Sequence, residues 1–247
     1  MTSSPTPPLS VSHHHLAMAP PTIYDIWTIL EDREQQRLFH SQPSRYPDPA
    51  DAFYSVTKSK KHRAGNRYSN ILAYDRTAIH PEGDLYLNAN IVTDGRQWWV
   101  ASQAPTPATF PAFFQAIYDQ TASRHPLLRP ARAGQGKKKA ILVQLTGWEE
   151  KGQPKADRYL LPGLHGQLDV QVGEPVRREE LLSEVRTVML GDMELTHYHF
   201  EAWPDFGVPS GEGVEALRQL VLEVDRVREG EVWVHWCVST RSGRRYP

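Results

Sequence analysis

One cysteine occurs among the 247 residues, at position 237, and its neighbours are chemically suggestive. A short strand rich in valine and tryptophan, Glu231 to Trp236, runs into it, and Val238-Ser239-Thr240-Arg241-Ser242-Gly243-Arg244-Arg245 follows. A strand that opens into a loop of hydroxyl residues, glycine and arginine could hold a low-pKa thiolate over a nest of backbone N–H groups. That layout suits a nucleophile facing an anion; the competing reading is an ordinary buried thiol. A second candidate is Asp205, within Trp203-Pro204-Asp205-Phe206-Gly207. Proline stiffens the chain before it and glycine permits a sharp turn after it. Flanking aromatic rings would desolvate the carboxyl and raise its pKa toward the range of a general acid. An ordinary turn aspartate is the alternative there. His13-His14-His15 could take up a metal adventitiously but reads as low-complexity sequence, so no metal or other cofactor is expected.

The surrounding pattern supplies elements to position these groups. A helix of about four turns is predicted from Thr22, with Ile23, Ile26, Trp27 and Leu30 at helical spacing, followed by a proline-punctuated loop over residues 41–53. Asp84 to Val92 and Gln97 to Ser102 read as strands joined at Asp94-Gly95, a hairpin signal. A helix over residues 108–120 would bury Phe110, Phe113, Phe114 and Ile117. Ala140 to Leu145 is almost continuously apolar, as a strand covered on both faces should be. Val185 to Leu190 and Leu195 to Phe200 form a second hairpin about Gly191-Asp192. Between Pro209 and Gly230 the apolar repeat Val214, Leu217, Val221, Val224 marks a helix that Ser210 can cap and Gly230 can end. The basic stretch ending in Lys137-Lys138-Lys139 reads as a solvated loop or a docking face for an acidic partner. Residues 1–21, rich in Pro, Ser and Thr, are expected to be a disordered tail. Residues 22–247 then form one domain of mixed strand and helix order, an α/β (α+β) arrangement.

Composition narrows the function classes. With 28 Lys plus Arg against 29 Asp plus Glu, the net charge of −1 offers no bulk attraction to nucleic acid. No apolar run approaches the roughly 20 residues of a membrane-spanning helix, and the N-terminus lacks the charged head and apolar stretch of a signal peptide. A single cysteine cannot form an internal disulfide, which fits a reducing, cytoplasmic setting.

Several segments together resemble the protein tyrosine phosphatase family. Trp203 to Pro209 (WPDFGVP) looks like its acid loop. Asn66-Arg67-Tyr68-Ser69-Asn70-Ile71 with Tyr74-Asp75 resembles its phosphotyrosine-recognition loop, and Asp84 to Ala89 its DYINA strand. Ala101 to Pro105 with Phe113-Phe114 resembles its ATQGP segment and following helix. Glu149 to Tyr159 is similar to its mobile glutamate-containing hairpin. The resemblance spans the chain from about Thr22 to His235. It implies a highly twisted mixed β-sheet flanked by helices on both sides, and phosphotyrosine-containing proteins as substrates. It also implies that Tyr68 stacks on the substrate's phenyl ring, selecting phosphotyrosine by depth. Asn70 stands where the family often has an aspartate holding the substrate backbone, and an amide bonds there with less charge assistance. Glu150 would orient the phosphate-binding arginine, Lys155 would approach the acid loop and phosphate, and Asp205 would serve as general acid and then base. Tyr68 as a half-buried edge residue, and Glu150 and Lys155 as surface charges, are the structural alternatives.

The resemblance breaks at the family's signature, His-Cys-Ser, a glycine-containing stretch, then Arg, with five residues between the cysteine and the arginine. Counted from Cys237, Gly243 stands where the arginine belongs; counted from Trp236, Ser242 does. Arg244 comes one residue late. A loop that wraps its N–H groups around one phosphate and presents a bidentate guanidinium does not tolerate a one-residue slip. The chain also reaches Pro247 without the family's helix behind this loop or its glutamine loop, so a domain cut at its active site is expected. Codons supply a reason. His235-Trp236-Cys237-Val238 requires CAY-TGG-TGY-GTN, which agrees with His-Cys, CAY-TGY, through the TG and continues as GTGYGT, similar to an intron's 5′ splice donor. The expectation is that residues 237–247 are translated intron and that Cys237 is coincidental. Three outcomes are then open: a phosphatase locus whose chain as written is inactive, a pseudophosphatase that binds phosphotyrosine without turnover, or a product that does not fold stably.

Overall fold

The computed structural model describes residues 22–83, 85–128, 138–150, 152–204 and 207–236, with Glu150 and Gln153 described by their backbone alone. The expected tail 1–21, the acid Asp205, and Cys237 with the segment to Pro247 lie outside the described residues. Three helices come first: α1 (Ile23–His40), α2 (Pro49–Phe53) and α3 (Thr57–Lys61). Strands β1 (Ala89–Thr93) and β2 (Trp98–Gln103) precede α4 (Phe110–Tyr118). Then follow β3 (Lys139–Gln144), the short β4 (Glu149–Glu150) and β5 (Gln153–Pro154), β6 (Val170–Val172), β7 (Val176–Arg178), β8 (Ser183–Leu190) and β9 (Met193–Phe200). Helix α5 (Glu212–Val227) and strand β10 (Glu231–Trp236) complete the order.

The main sheet has eight strands in the order β1-β2-β10-β3-β9-β8-β6, with β7 also on β8. Its centre, β2-β10-β3-β9, is parallel throughout. The flanks β1–β2, β8–β9, β6–β8 and β7–β8 are antiparallel. This is the mixed sheet that the resemblance implies. Alternation along the central strands divides the core in two. Ala140 and Leu142 of β3 and Trp233 of β10 pack with Phe110, Phe113, Phe114 and Ile117 of α4 on one face. Ile141 and Val143 of β3 and Val232 of β10 pack with Ala216, Leu220 and Val224 of α5 on the other. Helices thus cover both faces, which is why β3 reads as unbroken apolar sequence.

Four elements differ from expectation. Helix α1 runs 18 residues from a Thr22–Asp25 capping box, yet none of its residues is buried, so its apolar spacing does not report core contact. The presumed loop 41–53 contains α2, begun by an Asp48 N-cap with Pro49 in the first turn, a start signal in its own right. Pairing of the first hairpin begins only at Ala89. In α5 the buried positions are Gly213, Ala216, Leu220 and Val224, while Val214 is 52% and Val221 60% exposed. A Cβ on Gly213 would already touch Pro209 and Ala202, so the helix start packs close there, and of the predicted stripe Val224 is buried and Leu217 partly buried against the sheet. Its N-cap is Gly211 at φ 54° with no side-chain cap, so Ser210 is not the cap, and it ends at Val227 rather than at Gly230. Gly230 serves a different end: a Cβ there would collide with the Lys139 carbonyl of the neighbouring strand start.

Candidate active site at the ends of the parallel strands

Four parallel strands finish at one edge of the sheet, and each delivers a candidate segment there. Strand β2 leads to Ala104-Pro105, β3 to Trp148 and the β4–β5 hairpin, β9 to Trp203-Pro204, and β10 to His235-Trp236. Such carboxyl ends, where strand order and chain order part, are where open α/β sheets bind ligands. Here β10, last in sequence, lies between β2 and β3.

Tyr68 is half-buried and packs with Trp148 on a small cluster formed by Ala104 and Ala156. The recognition segment, the Gln-Ala-Pro turn and the hairpin strand end therefore meet at its ring. Lys155 is 4% exposed, and its N–H donates to the Trp148 carbonyl at 2.8 Å. A lysine this deep is not the surface charge of the alternative reading. Glu150 lies in β4 opposite Gln153. Asn70 is exposed, two residues beyond Tyr68. Trp203 and Pro204 bring the chain to Asp205, which lies outside the described residues, as does Cys237.

Two organising side chains escaped the sequence reading. Arg67 donates from Nε to the Ala104 carbonyl (3.1 Å), and from its terminal nitrogen to the Pro105 carbonyl (2.8 Å) and to Asp157 (2.5 Å). Its backbone N–H donates to Gln103 Oε1 (2.8 Å), whose amide in turn donates to the Gly65 carbonyl (2.6 Å). One planar guanidinium thus fastens three segments that carry Tyr68, Ala104 and Lys155. The other is Tyr159, fully buried beneath the site. Its hydroxyl lies 2.7 Å from Gln144 Oε1, 2.6 Å from His235 Nε2 and 3.1 Å from His197 Nε2. Gln144 uses its amide nitrogen on the Thr146 carbonyl, so its oxygen must accept from Tyr159. A phenol donates once, so both histidines must donate Nε2–H to the Tyr159 oxygen and stand neutral. The bare Nδ1 atoms of His197 and His235 agree, having no partner among the described residues.

Electrostatics follows from this burial. His235 is held down to about 3, first by desolvation and then by the charge of His199 and Arg67. His197 lies well below its usual range for the same leading reason, aided by His235 and His199. His199 is lowered by burial as well, although Glu201 and the Thr146 carbonyl pull the other way. Neutral rings at the mouth of β10 leave any negative charge that gathers there to the arginines and backbone N–H groups.

The step after His235 is occupied by Trp236. It continues the strand opposite Gln103, is 40% exposed, and packs its ring against Trp203 at 5.5 Å. Strand alternation sends it to the face opposite His235, so a large indole stands directly after the inward histidine, against Trp203.

The family model for Protein-tyrosine phosphatase matches residues 62–129 and 132–239. Receptor-type tyrosine-protein phosphatase H of Homo sapiens is 30% identical over 171 residues, 63% of this chain and 14% of that protein. Receptor-type tyrosine-protein phosphatase S of Gallus gallus is 29% identical over 188 residues, 68% of this chain and 11% of that protein. The chain therefore spans a small part of these relatives' length. The crystal structure of the Trypanosoma cruzi protein tyrosine phosphatase TcPTP1 shares the fold, with a TM-score of 0.58 at 24% identity over 85% of this chain and 73% of that one. No helix among the described residues is long and apolar enough to cross a membrane. The chain belongs to the protein-tyrosine phosphatase family.

Proposed function

We propose that this domain is built to hydrolyse phosphotyrosine on proteins through a cysteinyl-phosphate intermediate, and that the chain as written performs that reaction poorly or not at all. The observation that carries the first half is the convergence, at one sheet edge, of a half-buried Tyr68, the buried Lys155, the stem of the acid loop and the end of β10. Tyr68 stacks on the phenyl ring, Asn70 bonds the substrate backbone, and Glu150 and Lys155 order the phosphate-binding side. In the first step a thiolate attacks phosphorus, the bond to the aryl oxygen breaks, and Asp205 gives its proton to the leaving phenolate. In the second, water attacks phosphorus, the P–S bond breaks, and Asp205 takes a proton from the water. A reducing, cytoplasmic setting suits a free thiolate.

The second half rests on register. With Trp236 directly after His235, neither Cys237 nor Trp236 is followed by an arginine after five intervening residues: Gly243 and Ser242 stand there. The purified chain is expected to release no measurable p-nitrophenol from p-nitrophenyl phosphate. Turnover that Cys237→Ser abolishes would overturn this. Residues 237–247 are proposed not to be native coding sequence. Sequencing of the spliced transcript tests that, and finding these codons joined in the mature message with the stop retained would refute it.

A phosphotyrosine-binding module without turnover is the second reading. The Trp203–Trp236 contact favours it, because an indole rather than a thiol directly follows His235 and braces the segment leading to Asp205. Retention of a phosphotyrosine peptide by this chain, lost in Tyr68→Ala, would choose it; no retention would reject it, since capture also needs the guanidinium in register.

A further inference from the structure

Positive charge gathers at a second place, which borders the segment that carries Tyr68 but is not lined by Tyr68, Asn70, Glu150, Lys155 or Asp205. A cavity of about 140 Å³ opens between α3 and residues of two stretches, Ala73 to Gly83 and Leu85 to Leu87. At about 30 Å³ per water it holds roughly four or five water molecules. Lys58 and Lys61, three apart on α3, share a helix face and both line it. His62, the C-cap of α3, lies flat on Tyr86 with ring centroids 5.0 Å apart and planes 7° apart. His80 lines the cavity too, its Nε2 3.4 Å from Lys58 Nζ.

The acid among the described lining residues is Asp75, and it is already engaged. Its Oδ2 accepts from Ser55 Oγ (2.6 Å) and Thr57 N (2.9 Å), and its Oδ1 from Lys58 N (3.0 Å). Asp75 thus holds the first turn of α3 and does not pair with either ammonium group. Among the described residues neither Lys58 nor Lys61 has a carboxylate within ion-pair reach, so Lys58 rests on a neutral imidazole. Burial first, then the charge of Lys58, lowers His80, while Asp75 pulls the other way. The pocket floor is rigid: Tyr86 O–H donates to Asn66 Oδ1 (2.6 Å), which also accepts from Asn88 (2.9 Å).

We infer that this cavity binds a phosphate-type dianion, with Lys58 and Lys61 as its charge partners and the His62 and His80 rings as further hydrogen-bond donors. Two lysines on one helix face offer rotatable N–H donors to a tetrahedral oxyanion, and a small cavity excludes larger polyanions. The phosphate has two possible sources, free inorganic phosphate or a phosphoserine of a protein.

The test titrates the 247-residue chain with inorganic phosphate and, separately, with a phosphoserine peptide, following the imidazole signals of His62 and His80 by NMR. Saturable shifts of both rings are expected, with the His80 pKa rising as the dianion offsets Lys58. Lys58→Met and Lys61→Met should each weaken binding about tenfold, the value of about 1.4 kcal/mol for one charge-assisted contact. Lys58→Arg should retain binding, and Arg244→Met, in the signature segment, should leave it unchanged. Saturation by phosphate alone assigns the site to the free anion; tighter binding of the phosphopeptide assigns it to a phosphoprotein; both support the inference. Lack of saturation, persistence of binding in a folded Lys58→Met/Lys61→Met double variant, or its loss in Arg244→Met would overturn it.

Discussion

Tyr159 illustrates how a single hydroxyl can be worth more than its contacts. Its oxygen answers two histidine donors from β9 and β10 and gives its own proton to β3. Tyr159→Phe would leave two buried N–H groups without an acceptor, at about 1–3 kcal/mol each. We expect the variant to lose about 2–4 kcal/mol in denaturant unfolding, whereas Asn70→Ala, at an exposed position, should fall within about 0.5 kcal/mol of the unsubstituted chain. The same histidines set an acid limit. Their folded pKa values lie below the unfolded value of about 6.5, so the unfolded chain takes up protons that the folded chain refuses. Stability from this source is complete above about pH 6.5 and is lost as pH falls from there toward about 3, the value held by His235. Roughly 1 kcal/mol per pH unit for each such histidine is expected to disappear, and a melting temperature that stays level from pH 7 to pH 5 would contradict it. Tyr159 belonged to a segment recognised in the sequence, but its role did not show there, because its partners lie at 144, 197 and 235.

Among the elements, α5 separates pattern from contact most clearly. Its apolar repeat was legible, but the face turned to the sheet runs through Ala216, Leu220 and Val224 and leaves Val214 and Val221 exposed. Leu220→Ala should therefore cost about 2–5 kcal/mol in unfolding experiments and Val214→Ala less than about 1, although both residues look alike in sequence. Equal losses would place the helix in the wrong rotation. Arg67 ties three loops in the same way. Arg67→Lys should behave nearly as badly as Arg67→Met, because one ammonium cannot reach the Ala104 and Pro105 carbonyls and Asp157 together. Rescue by lysine in thermal melts would show that charge alone suffices. Helix α2 was missed for want of length, since five residues carry no periodicity, although Asp48-Pro49 marked its start.

At the scale of the molecule, the described fold leaves apolar surface open. Between α5 and the strands β2, β3 and β10 lies a cavity of about 310 Å³ lined by Trp99, Val143, Leu145, Leu217, Val221 and Val234. Exposed apolar clefts of this kind take up hydrophobic dyes. The native chain is expected to enhance ANS fluorescence, and Val221→Asp to reduce it without lowering the melting temperature; unchanged fluorescence would move the dye's site elsewhere. The sequence by itself determined the family, the α/β class, the strands β3, β8, β9 and β10 and the candidates Tyr68, Lys155 and Asp205, because these rest on local periodicity and on short ordered motifs. It also determined that the signature is out of register, which is a matter of counting. Tertiary structure alone decided that Lys155 is buried, that Tyr159 and Arg67 knit the strand ends, that Trp236 meets Trp203, and that Lys58 faces His80. Each of these joins residues distant in the chain, and proximity of that kind is created only when parallel strands from separate parts of the sequence finish at one edge, or a helix settles on a distant loop.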